Sequence, residues 1–226
     1  VDYNVIWRLF LSRLRNLRSM LPGKESQRKT LDILKRLSTK PFENLAVFIN
    51  GCAPIYKRLG QSAVLPLVWG ASIASYPFLG KISETTGRLL SLQGDCSIKE
   101  VQRRIAEHYG DRSGIERAVN RVLQSQASWG AVARDEMTKR IIKHPVILID
   151  DDELTAWLIE AAVRYAGKPV SVPSLQSLPV LFPFNLTRPL AYVVSNSPSL
   201  ELRSEGPSNQ FVALRATLCK PPTLPH

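Results

Sequence analysis

Residues 97–130 read SIKEVQRRIAEHYGDRSGIERAVNRVLQSQASWG, and the fold is decided there. Ser97 followed three residues later by Glu100 has the form of a capping box, the signature of a helix start. Ile98, Val101, Ile105 and Tyr109 recur at helical spacing, so a helix is expected up to Gly110. Asp111-Arg112-Ser113 supplies a turn and a fresh cap. Ile115, Ala118, Val119, Val122 and Leu123 then follow the i, i+3, i+4, i+7, i+8 rule to about Ser128. Arg117, Asn120, Arg121 and Gln124 occupy the opposite side of this helix, and Trp129-Gly130 stops it.

Upstream, Ile82, Thr86, Leu89, Leu90 and Gln93 mark a preceding helix closed by Gly94. Downstream, Ala131–Arg134 and Thr138–Ile142 read as two strands around an Asp135-Glu136 turn. Three short helices followed by a hairpin give Ile82–Ile149 the layout of a winged helix-turn-helix, and the segment resembles that superfamily in element order and spacing. The resemblance implies either DNA binding or protein docking. In the DNA case the third helix would read bases through Arg117, Asn120, Arg121 and Gln124, since arginine bonds guanine bidentately and asparagine or glutamine does so with adenine. Arg112, Ser113, Lys139 and Arg140 would hold phosphates on either side.

Charge supports an anionic partner but is unevenly placed. The 226 residues carry a net charge of +11. Residues 1–60 hold 12 basic against 4 acidic side chains, residues 61–150 hold 12 against 9, and residues 151–226 hold 6 of each. The most basic part is thus the N-terminal quarter, where Arg8, Arg13, Arg15 and Arg18 lie on an amphipathic pattern over Asn4–Met20 and would strengthen phosphate contact. Glu100, Glu107, Asp111, Glu116, Asp135 and Glu136 dilute the field of the central segment. A hydrophobic fraction of 44% excludes a chain disordered throughout.

The remainder divides into a basic helical region over 1–80 and, over 151–226, a helix with a small antiparallel sheet and a Pro-rich tail. A second helix is expected over Ser26–Leu37 and a short one over Phe42–Ile49. Gln61–Gly80 lacks charge altogether, but Pro66, Gly70 and Pro77 make it a poor membrane span, so a buried core helix is expected. Val146–Ile149 reads as a strand, Glu153–Ala166 as a helix, and Leu190–Ser195, Leu200–Arg203 and Gln210–Ala216 as strands. Arg8 interrupts the apolar run Val5–Leu11, which argues against a secretory leader.

No catalytic constellation presents itself. Cys52, Cys96 and Cys219, and the three histidines, are scattered without zinc spacing. The run Asp150-Asp151-Asp152-Glu153 is better explained by the positive end of a helix dipole than by a metal centre. The chain is therefore expected to be a cytoplasmic α+β protein, mainly helical, with a central winged helix (81–150) and a small C-terminal antiparallel sheet. It is expected to be non-enzymatic, to hold no metal or cofactor, and to bind double-stranded DNA rather than membrane. The role would be that of a transcription regulator or of a DNA-recognising subunit in a bacterial complex, such as an antiviral defence system. The alternative is a scaffold whose winged helix docks other protein subunits; oligomeric state is left open.

Overall fold

The computed structural model describes residues 41–110, 114–204 and 209–215. The expected helices over Asn4–Met20 and Ser26–Leu37 lie outside these residues. Within them, the uncharged run is cut at Tyr76, which takes an extended conformation (φ −130°, ψ 91°) ahead of Pro77. Proline crowds the preceding residue out of the helical region and tolerates the first turn of the helix it opens. Helices α1 (Ala46–Asn50), α2 (Cys52–Leu59) and α3 (Val64–Ser75) precede the break, and α4 (Pro77–Gln93) follows it. The single buried helix expected over Gln61–Gly80 is therefore two. They belong to arms bent by 118°, and no single helix among the described residues is long and apolar enough to cross a membrane.

Past α4, Gly94 turns the chain in a left-handed conformation into β1 (Asp95–Ser97), an element that the sequence pattern does not reveal. Helices α5 (Ile98–Tyr109) and α6 (Ile115–Ser128) follow, then strands β2 (Val132–Asp135) and β3 (Arg140–Lys143). The three strands form an antiparallel sheet in the order β1-β3-β2, with Ile141 opposite both Cys96 and Arg134. Ser97 caps α5 as expected, its Oγ accepting from the Glu100 amide at 3.1 Å. At α6 the cap position belongs to Gly114, at φ 100°.

Beyond the hairpin come β4 (Ile147–Ile149), α7 (Asp152–Ala166), β5 (Val170–Ser171), α8 (Val172–Leu175), β6 (Phe184–Leu186), α9 (Leu190–Asn196), β7 (Leu200–Ser204) and β8 (Gln210–Leu214). Strands β7 and β8 pair antiparallel as expected, with β5 rather than Leu190–Ser195 as the third strand of their sheet, whereas β4 and β6 pair in parallel, a link with no local signal in the sequence. Leu190–Ser195, expected as a strand, is the helix α9. Its buried residues Leu190, Val193 and Val194 stand at i, i+3 and i+4, so packing of one helical face overrides the strand preference of valine.

These elements close around two cores. One unites Phe48, Ile55, Leu67, Trp69 and Ile73 with Trp157, Leu158, Leu181, Val194 and Val212, so the described parts of regions 1–80 and 151–226 share a core. The other joins Ile82, Leu89, Leu90, Cys96, Val101, Ile105, Val119, Leu123, Val132 and Ile141. Trp69, fully buried, donates from Nε1 to the Val180 carbonyl at 2.8 Å and meets Trp129, Phe182 and Phe184 edge-on. Phe182 packs against both cores.

Glycines set the approach distances. A Cβ on Gly70 would lie 2.3 Å from the Trp157 ring, one on Gly80 2.4 Å from Tyr165, and one on Gly87 2.1 Å from the Pro179 carbonyl oxygen. The first two neighbours are side chains; the third is backbone and cannot swing aside. Gly87→Ala should therefore destabilise the protein by about 1–3 kcal/mol, the usual cost of overpacking, measured by urea unfolding. An unchanged midpoint would show that 179–182 does not pack on α4 as described.

Candidate nucleic-acid interface

The amphipathic sequence of α6 fixes which side chains it offers. Val119 and Leu123 are fully buried, and so is Gln126, whose Nε2 donates to Ser83 Oγ on α4 at 2.8 Å. Turning those residues inward leaves Arg117, Arg121 and Gln124 exposed, at i, i+4 and i+7 along one ridge. Gln102 Nε2 donates to the Glu116 carbonyl at 3.1 Å and fastens α5 to the start of this helix.

The fourth residue of the expected reading face is placed differently. Asn120 is half-buried and its Oδ1 accepts from Arg134 Nη1 at 2.9 Å, which ties the middle of α6 to β2. Nothing in the sequence around Arg134 marks it as a brace. It also holds Glu136, whose carboxylate lies 2.7 Å from its Nε.

The hairpin neutralises much of its own charge. Lys139 pairs with Glu136 at 3.1 Å, and Arg140 grips Asp95 on β1 with both Nε and Nη2. The Arg140 hydrogen bonds hold the Asp95 carboxyl below its ordinary range. Neither expected phosphate contact is therefore free of a carboxylate. By contrast, Arg117, Arg121 and Lys99 have no ion-pair partner among the described residues. Lys99 is exposed in the first turn of α5, next to the hairpin, because the Ile98 amide donates to the Lys139 carbonyl at 3.1 Å. The sequence gives no sign of this placement, because the strand pairing behind it is tertiary. Arg8, Arg13, Arg15, Arg18, Arg112 and Ser113 lie outside the described residues.

Other chemistry is engaged elsewhere. Asp151 caps α7, its Oδ1 accepting from the Leu154 amide at 2.9 Å. Arg58 bridges Asp151 and Glu153, while Arg188 bridges Asp150 and Asp152. The acidic run is thus a helix start clamped by two arginines. No group of three or more His, Cys, Asp or Glu able to hold a metal occurs among the described residues. Burial pushes the Cys96 thiol up to about 11, away from nucleophilic use.

Compared with known proteins, the chain matches no family model, no curated protein and no solved structure.

The hairpin turn carries its own pH dependence. Asp135 accepts from the Thr138 hydroxyl and from the amides of Thr138 and Met137, and these bonds hold its carboxyl below the ordinary value. With the folded pKa depressed, this contribution is complete above the unfolded value of about 3.9 and is lost as pH falls through the folded value. Asp135→Asn should lower stability near neutral pH yet lose less than the parent as pH falls below about 4, in melting curves across that range. Parallel pH profiles would remove Asp135 from the account of the turn.

Proposed function

We propose that Pro77–Lys143 is a winged helix-turn-helix that binds double-stranded DNA, with α6 in the major groove. The support is a topology of helix, strand, helix, helix and hairpin closed as β1-β3-β2, together with the α6 ridge. The observation that carries the reading is electrostatic. Within this unit Lys81, Arg88, Arg103, Arg104, Arg134, Lys139 and Arg140 all lie against carboxylates; among the described residues Lys99, Arg117, Arg121 and Lys143 do not, and of these Arg117 and Arg121 stand exposed on one ridge with Gln124. Exposed guanidinium groups on a ridge narrow enough for the groove suit base edges and phosphates alike.

In this reading Arg117, Arg121 and Gln124 face the bases, Asn120 holds the hairpin beside the reading helix through Arg134, and Lys99 reaches the backbone. Arg8, Arg13, Arg15 and Arg18 supply most of the remaining attraction, because residues 1–60 contain the largest charge excess. A DNA-contacting regulator or a DNA-recognising subunit of a larger complex, including one of defence type, both fit such a module.

A second reading, docking of a protein partner, is favoured by a separate surface. Leu92 (81% exposed) and Val146 (40%) border a cleft of about 440 Å³ that Phe182 and Phe184 also line, and Leu148 is exposed nearby in sequence on β4. Isolated apolar side chains are ordinary on a surface, but those gathered at a cleft are typical of protein contacts.

Duplex binding should fall steeply with salt as counterions are released. Arg117→Ala with Arg121→Ala should flatten that dependence by roughly one unit of log–log slope for each phosphate that is no longer neutralised. If either arginine reads a base, its removal should also cost about 1–3 kcal/mol of affinity for a preferred site. Fluorescence anisotropy with a labelled duplex measures both effects. No binding at about 50 mM salt would overturn the DNA reading and favour docking at the Leu92 cleft.

A further inference from the structure

Strand β4 is paired along one edge only. Its partner is β6, in parallel, with Ile147 opposite Phe184, Leu148 opposite Asn185 and Ile149 opposite Leu186. The Ile147 amide donates to the Pro183 carbonyl at 2.9 Å, and the Ile149 carbonyl accepts from the Thr187 amide at 3.1 Å. Hydrogen-bonding groups alternate in direction along a strand, so the amide and carbonyl of Leu148 point away from β6. No third strand joins this sheet among the described residues. An edge of this kind is a template for an added strand.

An apolar cleft lies beside that edge. Leu148 is 66% exposed and shares a sheet face with its register partner Asn185, which lines the cleft of about 440 Å³. Leu92 and Val146 stand exposed at its border, and Phe182 and Phe184 line it. Residues opposite one another on neighbouring strands share a face, so alternate side chains of a strand paired to β4 would come up on this one. The edge can thus hold a partner's main chain while the cleft takes its side chains, the two halves of recognition by strand addition.

Charge selects the partner. The charged residues lining the cleft are Arg88 and Lys143, and no acidic residue lines it. Arg88 shares Glu84 with Lys81, which leaves a cation in excess, and Lys143 has no ion-pair partner among the described residues. The chain's own segments outside the described residues carry the same sign: residues 1–40 hold 10 basic against 3 acidic side chains, and 216–226 hold Lys220 and no acidic one. A second copy would bring like charge too, +11 in net. Charge complementarity therefore favours an acidic partner. We propose that β4 and this cleft capture an extended acidic segment of a partner protein, with its main chain paired to Leu148, its apolar side chains in the cleft and its carboxylates against Lys143 and Arg88. This inference rests on the docking reading of the cleft and does not involve α6.

The test uses the full chain and a fluorescein-labelled peptide of about ten residues, in which leucine and valine alternate with threonine between aspartates at both ends. Anisotropy should give a Kd in the micromolar range that rises with salt. The same peptide with lysine for aspartate should bind roughly tenfold more weakly, and Lys143→Glu should reverse that order. N-methylation of every second peptide amide should abolish binding in one phase and spare it in the other. Leu92→Glu should also abolish binding, with melting temperatures of both variants unchanged because the two side chains are exposed. Equal binding of the lysine peptide, or binding indifferent to N-methylation in either phase, overturns the inference and leaves docking at the cleft standing. So does a dimer of the parent chain, seen by sedimentation, that Leu92→Glu dissolves, because the occupant is then a second copy. No binding of the acidic peptide up to about 1 mM overturns the inference outright. Acidic-peptide binding that Leu92→Glu leaves intact removes the cleft from the account, and the docking reading falls with it.

Discussion

Helix α4 is buried on two sides, and the arrangement of the whole molecule depends on that constraint. One side sends Ile82, Leu89 and Leu90 into the core shared with α5, α6 and the hairpin. The other carries Gly80 and Gly87, where Tyr165 and the Pro179 carbonyl come too close for any side chain. Between them Glu84 accepts from the Tyr165 hydroxyl at 2.9 Å and pairs with Lys81 and Arg88, stitching α4 to α7. A helix held this way has little freedom to rotate or slide. It therefore fixes the three-helix unit rigidly against the larger core, with Phe182 packed into both.

Rigidity of that kind has a functional consequence. The exposed ridge of α6 is set by what the opposite face buries, namely Val119, Leu123 and the Gln126–Ser83 hydrogen bond to α4 itself. The Asn120–Arg134 contact then sets the hairpin beside α6. Helix α6 and the hairpin are thus positioned by the same scaffold helix, which is the preorganisation that the proposed binding surface needs. Elsewhere, charge mostly serves internal structure: the acidic run at α7 is clamped by Arg58 and Arg188, and those cations are not available to a polyanion.

Local signals are legible in the sequence where one element's own residues decide it. The α5 cap at Ser97, the α6 stripe, the hairpin around Asp135 and the capped start of α7 all follow from spacing and short-range hydrogen bonding. Features that depend on distant partners are not legible. Strand β1 has only three residues and exists because Ile141 and its neighbours pair with it. The β4–β6 pairing joins segments more than thirty residues apart. Leu190–Asn196 is helical because Leu190, Val193 and Val194 share one buried face, against the strand preference of Tyr192, Val193 and Val194. At the site the same division holds. Periodicity places Arg117, Arg121 and Gln124 on an exposed ridge, but the capture of Asn120 by Arg134, and of Arg140 by Asp95, are tertiary contacts that no spacing rule supplies.

We propose that the exposed face of α6 meets duplex DNA. Amide hydrogen exchange of the full chain, with and without a saturating duplex, locates that contact without altering a residue. Added protection is expected on α6, with the segments around Leu92 and Val146–Leu148 unchanged. Protection at those apolar segments with none on α6 would contradict it.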